Sequence, residues 1–429
     1  MIRMHYIKDL GPEMDGKEVT LAGWVHEVRE TGKITFLILR DSTGIVQVIG
    51  KKGETDEKTM KALSLPKESV VAITGILKVN KEAKKGFEIL AKKVTDLNPI
   101  SSQIPFEVTG KVPADIDVRL NHRHIDLRRL ETAAIFSIQS TILQSFRNFF
   151  SNRGFKEIRT PTLVSEATEG GSEVFEVKYF ERKAYLAQSP QLYKQLALVG
   201  GMDRVFMVVP VFRAEKSNTT AHLTEVTQMD IEVAFADADD VITLLGDAVT
   251  QIVKDVMREN KNELELLGRK LAAANIKIIT YQDALKELEK KGSTTEFGSD
   301  FSREDEQKIS ELYGHYVIVK DYPTKVRAFY SMPKPDNPEL SNSFDFIFDG
   351  IEICSGAQRI HLPNLLIEQL KSRGIDPKNF EFYISAFRNG APPHAGWSIG
   401  LERLTMQIVG AKNIREASLF PRDRKRLTP

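Results

Sequence analysis

"FRAEKSNTTAHLTEVTQMDIE", residues 212–232, carries Arg213 and Glu215 two positions apart, a mostly polar run, and then an alternation that ends on Asp230 and Glu232. Alternation of apolar and polar residues marks a half-buried strand. The stretch therefore predicts an outgoing strand with Arg213 near its end, a polar loop, and a returning strand whose Asp230 and Glu232 face the same cleft. A loop between two antiparallel strands can fold over a ligand and contribute contacts itself. Taken alone, the same residues also describe a surface hairpin with an exposed ion pair, which would contribute little. The rest of the chain has to decide between the two.

At 429 residues, two domains or one large one are expected. A hydrophobic content of 41% and a charged content of 28% describe an ordinary globular chain. The longest apolar runs, such as VFMVVPVF (205–212), fall far short of a bilayer span, so no membrane association is expected. MIRMHYIKDL at the N-terminus lacks the apolar core and cleavage site of a secretory leader. The single cysteine, Cys354, excludes an internal disulfide framework and makes the cytoplasm the expected compartment. A formal net charge of +1 neither requires nor excludes nucleic acid. One folded RNA can be bound by charge concentrated locally, and PRDRKRLTP (421–429) is either such a concentration or a solvated basic tail.

Residues 1–103 read as five short strands, VTLAGWV, ITFLILRD, GIVQVIG, SVVAITGILKV and FEILAKKVTDL, with a short helix, DEKTMKALSL, between the third and fourth. That order is the order of an OB-fold barrel, which commonly binds single-stranded nucleic acid. Residues 104–130, with two prolines and weak periodicity, read as a linker or hinge. The remainder, 131–429, opens with Ile135, Ile138, Ile142, Phe146, Phe149 and Phe150 at helical spacing. The helix should end near Gly154, which permits a left-handed cap. A strand follows, FKEIRTPTLV, and Pro161 within it demands an edge or an interface. A second amphipathic helix occupies 237–260, residues 265–340 carry no clear pattern, and 344–361 read as a strand pair turning at Gly350. Runs of strands bracketing helices suggest an α+β body on a mainly antiparallel sheet flanked by helices.

Two further groups carry chemistry. Asp345 and Glu352 lie on the two strands of the Gly350 hairpin, with Ser355 three positions on. Paired oxygens with room left for phosphate suit Mg²⁺ at a nucleotide site, although two solvent-facing carboxylates on a hairpin would look the same. In GWSIGLER (396–403), glycines precede a helix that begins at Leu401. A helix N-terminus attracts phosphate, and Arg403 beside it can clamp one. No P-loop or Rossmann fingerprint occurs in the chain.

In this order the signals together resemble the three signature motifs of the class II aminoacyl-tRNA synthetases. The helix and the strand ending at Pro161 resemble motif 1, FRAE…HLTE…D-x-E resembles motif 2, and GWSIGLER resembles motif 3. An N-terminal OB barrel places such a chain in the subgroup that activates aspartate, asparagine or lysine. The resemblance covers essentially the whole chain. No bacterial-type insertion fits between motifs 2 and 3, and FPRDRKRLTP looks archaeal or eukaryotic in type.

QSPQLYKQ (188–195) is similar to the aspartate-activating members, whose pocket this segment lines. The resemblance implies that Lys194 and Arg359 face the β-carboxylate, a match for an anion and a mismatch for a neutral amide whose NH₂ would meet only donors. It also implies Ser189 in the aspartate pocket, Asp230 and Gln191 on the substrate ammonium, and Glu169 on a loop that closes over it. Arg213 and Arg403 are the expected catalytic residues, holding the α-phosphate and the γ-phosphate end of ATP. Glu215 and His222 are expected on ATP or the acceptor end, and Asp345, Glu352 and Ser355 on Mg²⁺. The implied partners are ATP, L-aspartate, tRNA(Asp) and a second copy of the chain through motif 1. Family members often carry an aromatic after the motif 2 glutamate to stack on adenine; here Val226 follows Glu225. Ala221 stands where arginine is frequent, and Cys354 where serine is usual.

In the barrel, His26, Arg29, Phe36, Gln47, Lys85 and Glu88 match positions that the family uses on the anticodon, with Phe36 stacking the middle base. Lys85 agrees with members strict for tRNA(Asp), whereas His26 replaces their usual tryptophan, which leans toward charging tRNA(Asn) as well. The alternatives are an asparagine enzyme of the same fold and a non-catalytic OB-type RNA-binding relative, against which Arg213, Glu352 and Arg403 argue.

Overall fold

Alternating burial along five strands closes the first unit. The computed structural model describes residues 2–166, 173–215 and 219–429, and the chain divides into two units, Met1–Ala133 and Ala134–Pro429. In the first, β1 (Glu18–Thr31), β2 (Ile34–Asp41), β3 (Gly44–Lys51), β4 (Val70–Val79) and β5 (Phe87–Asn98) close in the order β1-β2-β3-β5-β4. Every second residue of β1 from Val19 to Val25 is buried. Val19, Leu21, Leu37, Leu39, Val48, Ile73 and Ile89 fill the interior. The helix Glu57–Leu63 connects β3 to β4, capped by Asp56, whose side chain accepts from the Thr59 amide at 3.0 Å. This is the OB-fold expected from the strand order.

Residues 104–130 differ from a bare linker. They include two short helices, Ile116–Asn121 and Arg123–Asp126, and belong to the first unit. Asp126 is fully buried between Arg119 at 2.8 Å and Arg123 at 2.5 Å. Arg128 reaches back to Glu68 at 3.0 Å and lies over the Trp24 ring at 5.4 Å. Buried ion pairs organise this segment rather than an apolar stripe, so hydrophobic periodicity has nothing to report there.

The helix Leu130–Ser151, inside which the chain passes into the second unit, buries Ile135, Ile138, Ile142, Phe146, Phe149 and Phe150. With the helix Ala238–Glu259, started by an Asp237/Asp240 capping box, it supplies the apolar cluster that meets Trp397, Phe344 and Ile399 of the central sheet. That sheet comprises β6 (Lys156–Glu157), β10 (Arg204–Phe212), β11 (Glu225–Ala234), β12 (Ile276–Thr280), β13 (Tyr316–Lys320), β14 (Ser343–Phe348), β15 (Ile351–Arg359) and β16 (His394–Gly400). Its order is β12-β13-β14-β15-β16-β11-β10-β6. All neighbours are antiparallel except the outermost pairs, β12/β13 and β10/β6. β7 (Leu163–Val164), β8 (Glu176–Tyr179) and β9 (Arg182–Leu186) form a separate three-stranded sheet.

The expected single strand FKEIRTPTLV is thus two short strands, β6 and β7, in different sheets, with Pro161 between them. Proline cannot continue a ladder, and the break falls where that predicts. Residues 265–340 contain β12, β13 and the helices Tyr281–Lys290 and Arg303–Tyr313.

Candidate active site

The register of the central sheet sets four side chains in one row. Asp345 of β14 pairs with Ser355 of β15, Ser355 with Ser398 of β16, and Ser398 with Asp230 of β11. Directly paired residues share a face, and three strand intervals span about 14 Å. A cleft of about 270 Å³ opens over this face, and its walls include Ser189, Gln191, Arg213, Glu215, His222, Asp230, Glu352, Ser355, Arg359 and Arg403.

The Asp230 end is a closed ion-pair array. Lys194, on the helix Gln191–Val199, is 1% exposed and does not line the cleft. Its Nζ lies 2.7 Å from Asp230 Oδ1 and 3.2 Å from Glu232 Oε2. Arg359 holds the other side of Glu232, with Nε at 2.8 Å and NH2 at 3.3 Å. The two cations outweigh burial at Glu232 and lower its pKa. Asp230 has only one cation, and burial raises its pKa despite Lys194 and the Ser398 hydroxyl. Opposite Glu232 stands Gly396, where a Cβ would sit 2.3 Å from Glu232 Oε2. That glycine makes room for a carboxylate. Gln191 donates to Gln195 at 2.9 Å, and Gln195 donates to His394 Nε2 at 2.8 Å. His394 Nδ1 lies 2.7 Å from the Pro392 carbonyl, so it carries the proton of a neutral ring, whose pKa burial lowers.

Toward the other end the charges are less matched. Arg213 is exposed, and among the described residues its guanidinium has no hydrogen-bond partner. Its backbone amide donates to Thr224 O at 2.9 Å, closing the base of the loop. Arg403 NH1 donates to the Glu352 carbonyl at 2.9 Å, and NH2 approaches His222 Nε2 at 3.4 Å. Arginine only donates, so His222 accepts there and turns Nδ1–H to Thr219 Oγ1 at 2.6 Å. Burial lowers the His222 pKa, and Glu215 at 3.7 Å opposes the shift. Val226 and Ala221 both line this part of the cleft. Glu169 lies outside the described residues.

Burial raises the pKa of Glu352 to about 7, and the neighbouring Asp345 adds to it. Glu306, whose carboxylate accepts from the Glu352 amide at 3.1 Å, is also pushed up to about 7 by burial. A bulge between Phe346 and Ile347 shifts the hairpin register, so Ser355 rather than Cys354 pairs with Asp345. Glu352 pairs with Ile347, two positions from Asp345, and the three oxygen-bearing side chains therefore share a face. Among the described residues no three His, Cys, Asp or Glu side chains form a ready metal cage. Two carboxylates and a hydroxyl on one face nevertheless fit a hard cation that keeps phosphate or water ligands. Arg327 already occupies part of that set, with NH1 3.0 Å from Asp345 Oδ1 and NH2 2.5 Å from Oδ2.

Arg327, Glu306, Ser398 and Glu402 carry no signal in the sequence reading, whereas Glu232 stands beside Asp230 in the opening motif. Ser398 stands inside GWSIGLER, and only its pairing with Asp230 across the ladder marks it. Arg327 and Glu306 come from the unpatterned segment, and no local signal marks them. The C-terminal stretch also reaches this region: Arg422 O accepts from Thr224 N at 2.9 Å and Thr220 O accepts from Ile414 N at 2.8 Å.

On the barrel, Arg29 of β1 pairs with Phe36 of β2, and Gln47 of β3 pairs with Ile38 two positions away. Phe36 is half-buried and stays out of the barrel interior. Gln47 donates to Glu88 at 2.7 Å. His26 sits at a bulge in β1, its Nδ1 2.9 Å from Arg40 NH1, and burial lowers its pKa. Lys85 is exposed, and partial desolvation lowers its pKa.

Residues 115–424 match the family model described as tRNA synthetases class II (D, K and N), and residues 19–97 match an OB-fold nucleic acid binding domain. An aspartate–tRNA(Asp/Asn) ligase of Methanocaldococcus jannaschii is 46% identical, over 100% of this chain and 98% of that protein. Its counterpart in Methanothermobacter thermautotrophicus is 45% identical over the same shares. Among solved structures, asparaginyl-tRNA synthetase from Pyrococcus horikoshii complexed with asparaginyl-adenylate aligns over 100% of both chains with a TM-score of 0.95 and 34% identity. Aspartyl tRNA synthetase from Entamoeba histolytica gives a TM-score of 0.89 at 34% identity, over 100% of this chain and 93% of that one.

Proposed function

We infer the activity from one premise: this chain belongs to the class II tRNA synthetases of the aspartate, lysine and asparagine group. It ligates L-aspartate to the 3′ end of tRNA, using ATP and passing through aspartyl-adenylate. The observation that carries the choice of aspartate is the Lys194–Glu232–Arg359 array. Arg359 spends Nε and NH2 on Glu232, which leaves its NH1 donors for a ligand carboxylate at the cleft wall. An amide NH₂ in that place would face donors. The likeness to an asparagine enzyme is one of fold, which does not choose between two side chains of equal shape.

Asp230 receives the substrate ammonium, with Gln191 and Ser189 beside it. The α-carboxylate is already an anionic nucleophile, so no side chain has to remove a proton. Arg213 neutralises the α-phosphate as pyrophosphate leaves, and Arg403 holds the γ-phosphate end; the work is positioning and charge stabilisation. Glu215 and His222 order ATP or the acceptor end. Asp345, Glu352 and Ser355 would hold Mg²⁺, which supplies charge neutralisation to the phosphates. The 3′-hydroxyl of the terminal adenosine then attacks the adenylate.

The outer face of the barrel that carries Arg29, Phe36, Gln47 and Glu88 reads the anticodon, with Lys85 and His26 as further contacts. Both tRNA(Asp) and tRNA(Asn) are accepted, because His26 replaces the tryptophan of stricter members. The enzyme works in the cytoplasm as a homodimer through the segment around Pro161, where a groove of about 260 Å³ runs along β10. Charging separate transcripts of the two tRNAs with aspartate tests this reading. Aspartylation of both is expected; aspartylation of neither sinks it, and of tRNA(Asp) alone removes the relaxed acceptor choice.

A further inference from the structure

We propose that Arg327 is a built-in counter-ion for the divalent-cation ligands, and that a cation binding there competes with it for Asp345. The inference rests on reading Asp345, Glu352 and Ser355 as those ligands. Arg327 follows a single 3₁₀ turn, Thr324–Val326, in the segment between β13 and β14. Its guanidinium engages both oxygens of Asp345, and NH1 also lies 3.3 Å from Ser355 Oγ. It thus satisfies two of the three donor groups, while the Glu352 carboxylate makes no hydrogen bond among the described residues. Because Arg327 holds both Asp345 oxygens, a divalent ion that takes either one competes with the guanidinium and meets its charge at close range.

The site is built for exchange rather than for permanent pairing. Arg373 NH2 donates to the carbonyls of Thr324 and Arg327, at 3.1 and 3.0 Å, and fixes the backbone. The guanidinium stacks on the Tyr322 ring at 3.7 Å, and its buried Nε has no hydrogen-bond partner. An arginine fixed for structure alone would normally have that donor satisfied. Arg327 also lines the cleft, so once released its donors can turn toward the phosphates that accompany the cation. In the cation-free protein it acts as a positioning residue, holding Asp345 and Ser355 in place and offsetting charge that would otherwise be buried unpaired.

The test uses Mn²⁺ alone with the full-length protein, free Mn²⁺ being read by electron paramagnetic resonance without ATP or aspartate. Arg327→Gln should bind Mn²⁺ about tenfold or more tightly than the wild type, and Mn²⁺ should raise its melting temperature by more. Arg327→Lys, which keeps the charge but loses the fork, should fall between them, and it provides the readout if the glutamine variant does not fold. Adding Asp345→Asn to either variant should erase the gain. If Asp345→Asn weakens Mn²⁺ binding while neither Arg327 variant strengthens it, the counter-ion role is overturned and the ligand reading stands. If Asp345→Asn changes nothing in any background, the ligand reading falls and the inference with it.

Discussion

The two ends of the cleft keep their charges differently. At the end proposed for the amino acid, Lys194 and Arg359 are matched by Asp230 and Glu232 within one buried array. At the end proposed for the nucleotide, the Arg213 side chain has no hydrogen-bond partner among the described residues, and Glu306, Glu352 and Glu402 are each pushed up to about 7 by burial. The first end is organised before any ligand arrives, as discrimination between a carboxylate and an amide requires. The second keeps the Arg213 guanidinium and the Glu352 carboxylate without a hydrogen-bond partner among the described residues. Preorganisation here costs nothing at the moment of binding, while unbalanced charge is stability given up for the sake of the ligand.

Lys194→Leu should produce the largest effect, because it damages function and fold together. Asp230 and Glu232 lose their shared ammonium, so unfolding free energy should drop by roughly 3–5 kcal/mol, measured by denaturant titration. Its kcat/KM for aspartate in pyrophosphate exchange should collapse while KM for ATP holds. Unchanged aspartate kinetics would break the contrast between the two ends. Arg213→Ala should separate the effects instead, lowering exchange kcat by roughly 10²–10³. Its stability should stay within about 0.5 kcal/mol of the wild type, since the side chain is exposed and has no hydrogen-bond partner among the described residues.

Glu402 sharpens the comparison through pH. Its carboxylate accepts from the Thr227 amide at 3.0 Å, and burial lifts its pKa from 4.5 to about 7. A raised carboxyl binds its proton more tightly in the folded state, so the associated stability is present below about pH 4.5 and is lost as pH rises through about 7. Glu402→Gln should flatten the decline measured between those limits by at most about 3 kcal/mol; an unaltered pH profile would remove Glu402 from the strained set. Phe36→Ala gives the smallest expected change, about 1–3 kcal/mol in tRNA recognition. Charging should show it through kcat/KM for tRNA, and pyrophosphate exchange should not, since neither end of the cleft is touched.

The comparison also explains what was legible in the sequence. The barrel announced itself because alternation survives wherever one face of a strand meets a core, as from Val19 to Val25. Arg213, Asp230 and Arg403 were legible because motif spacing follows strand register. Arg327 and Glu306 were not, because tertiary packing with no local period brings Arg327 to the cleft and Glu306 to the Glu352 amide. The helices within 104–130 escaped for a related reason: Asp126 with Arg119 and Arg123 organises them, and ion pairs leave no hydrophobic rhythm. Gly396 is explained only across the ladder, where Glu232 lies in the space a Cβ would need.

Amino-acid-dependent exchange of pyrophosphate into ATP, run with aspartate and asparagine side by side, tests the central claim most directly. The charge array at Lys194, Glu232 and Arg359 predicts exchange with aspartate and none above background with asparagine. Exchange with asparagine and none with aspartate would contradict it.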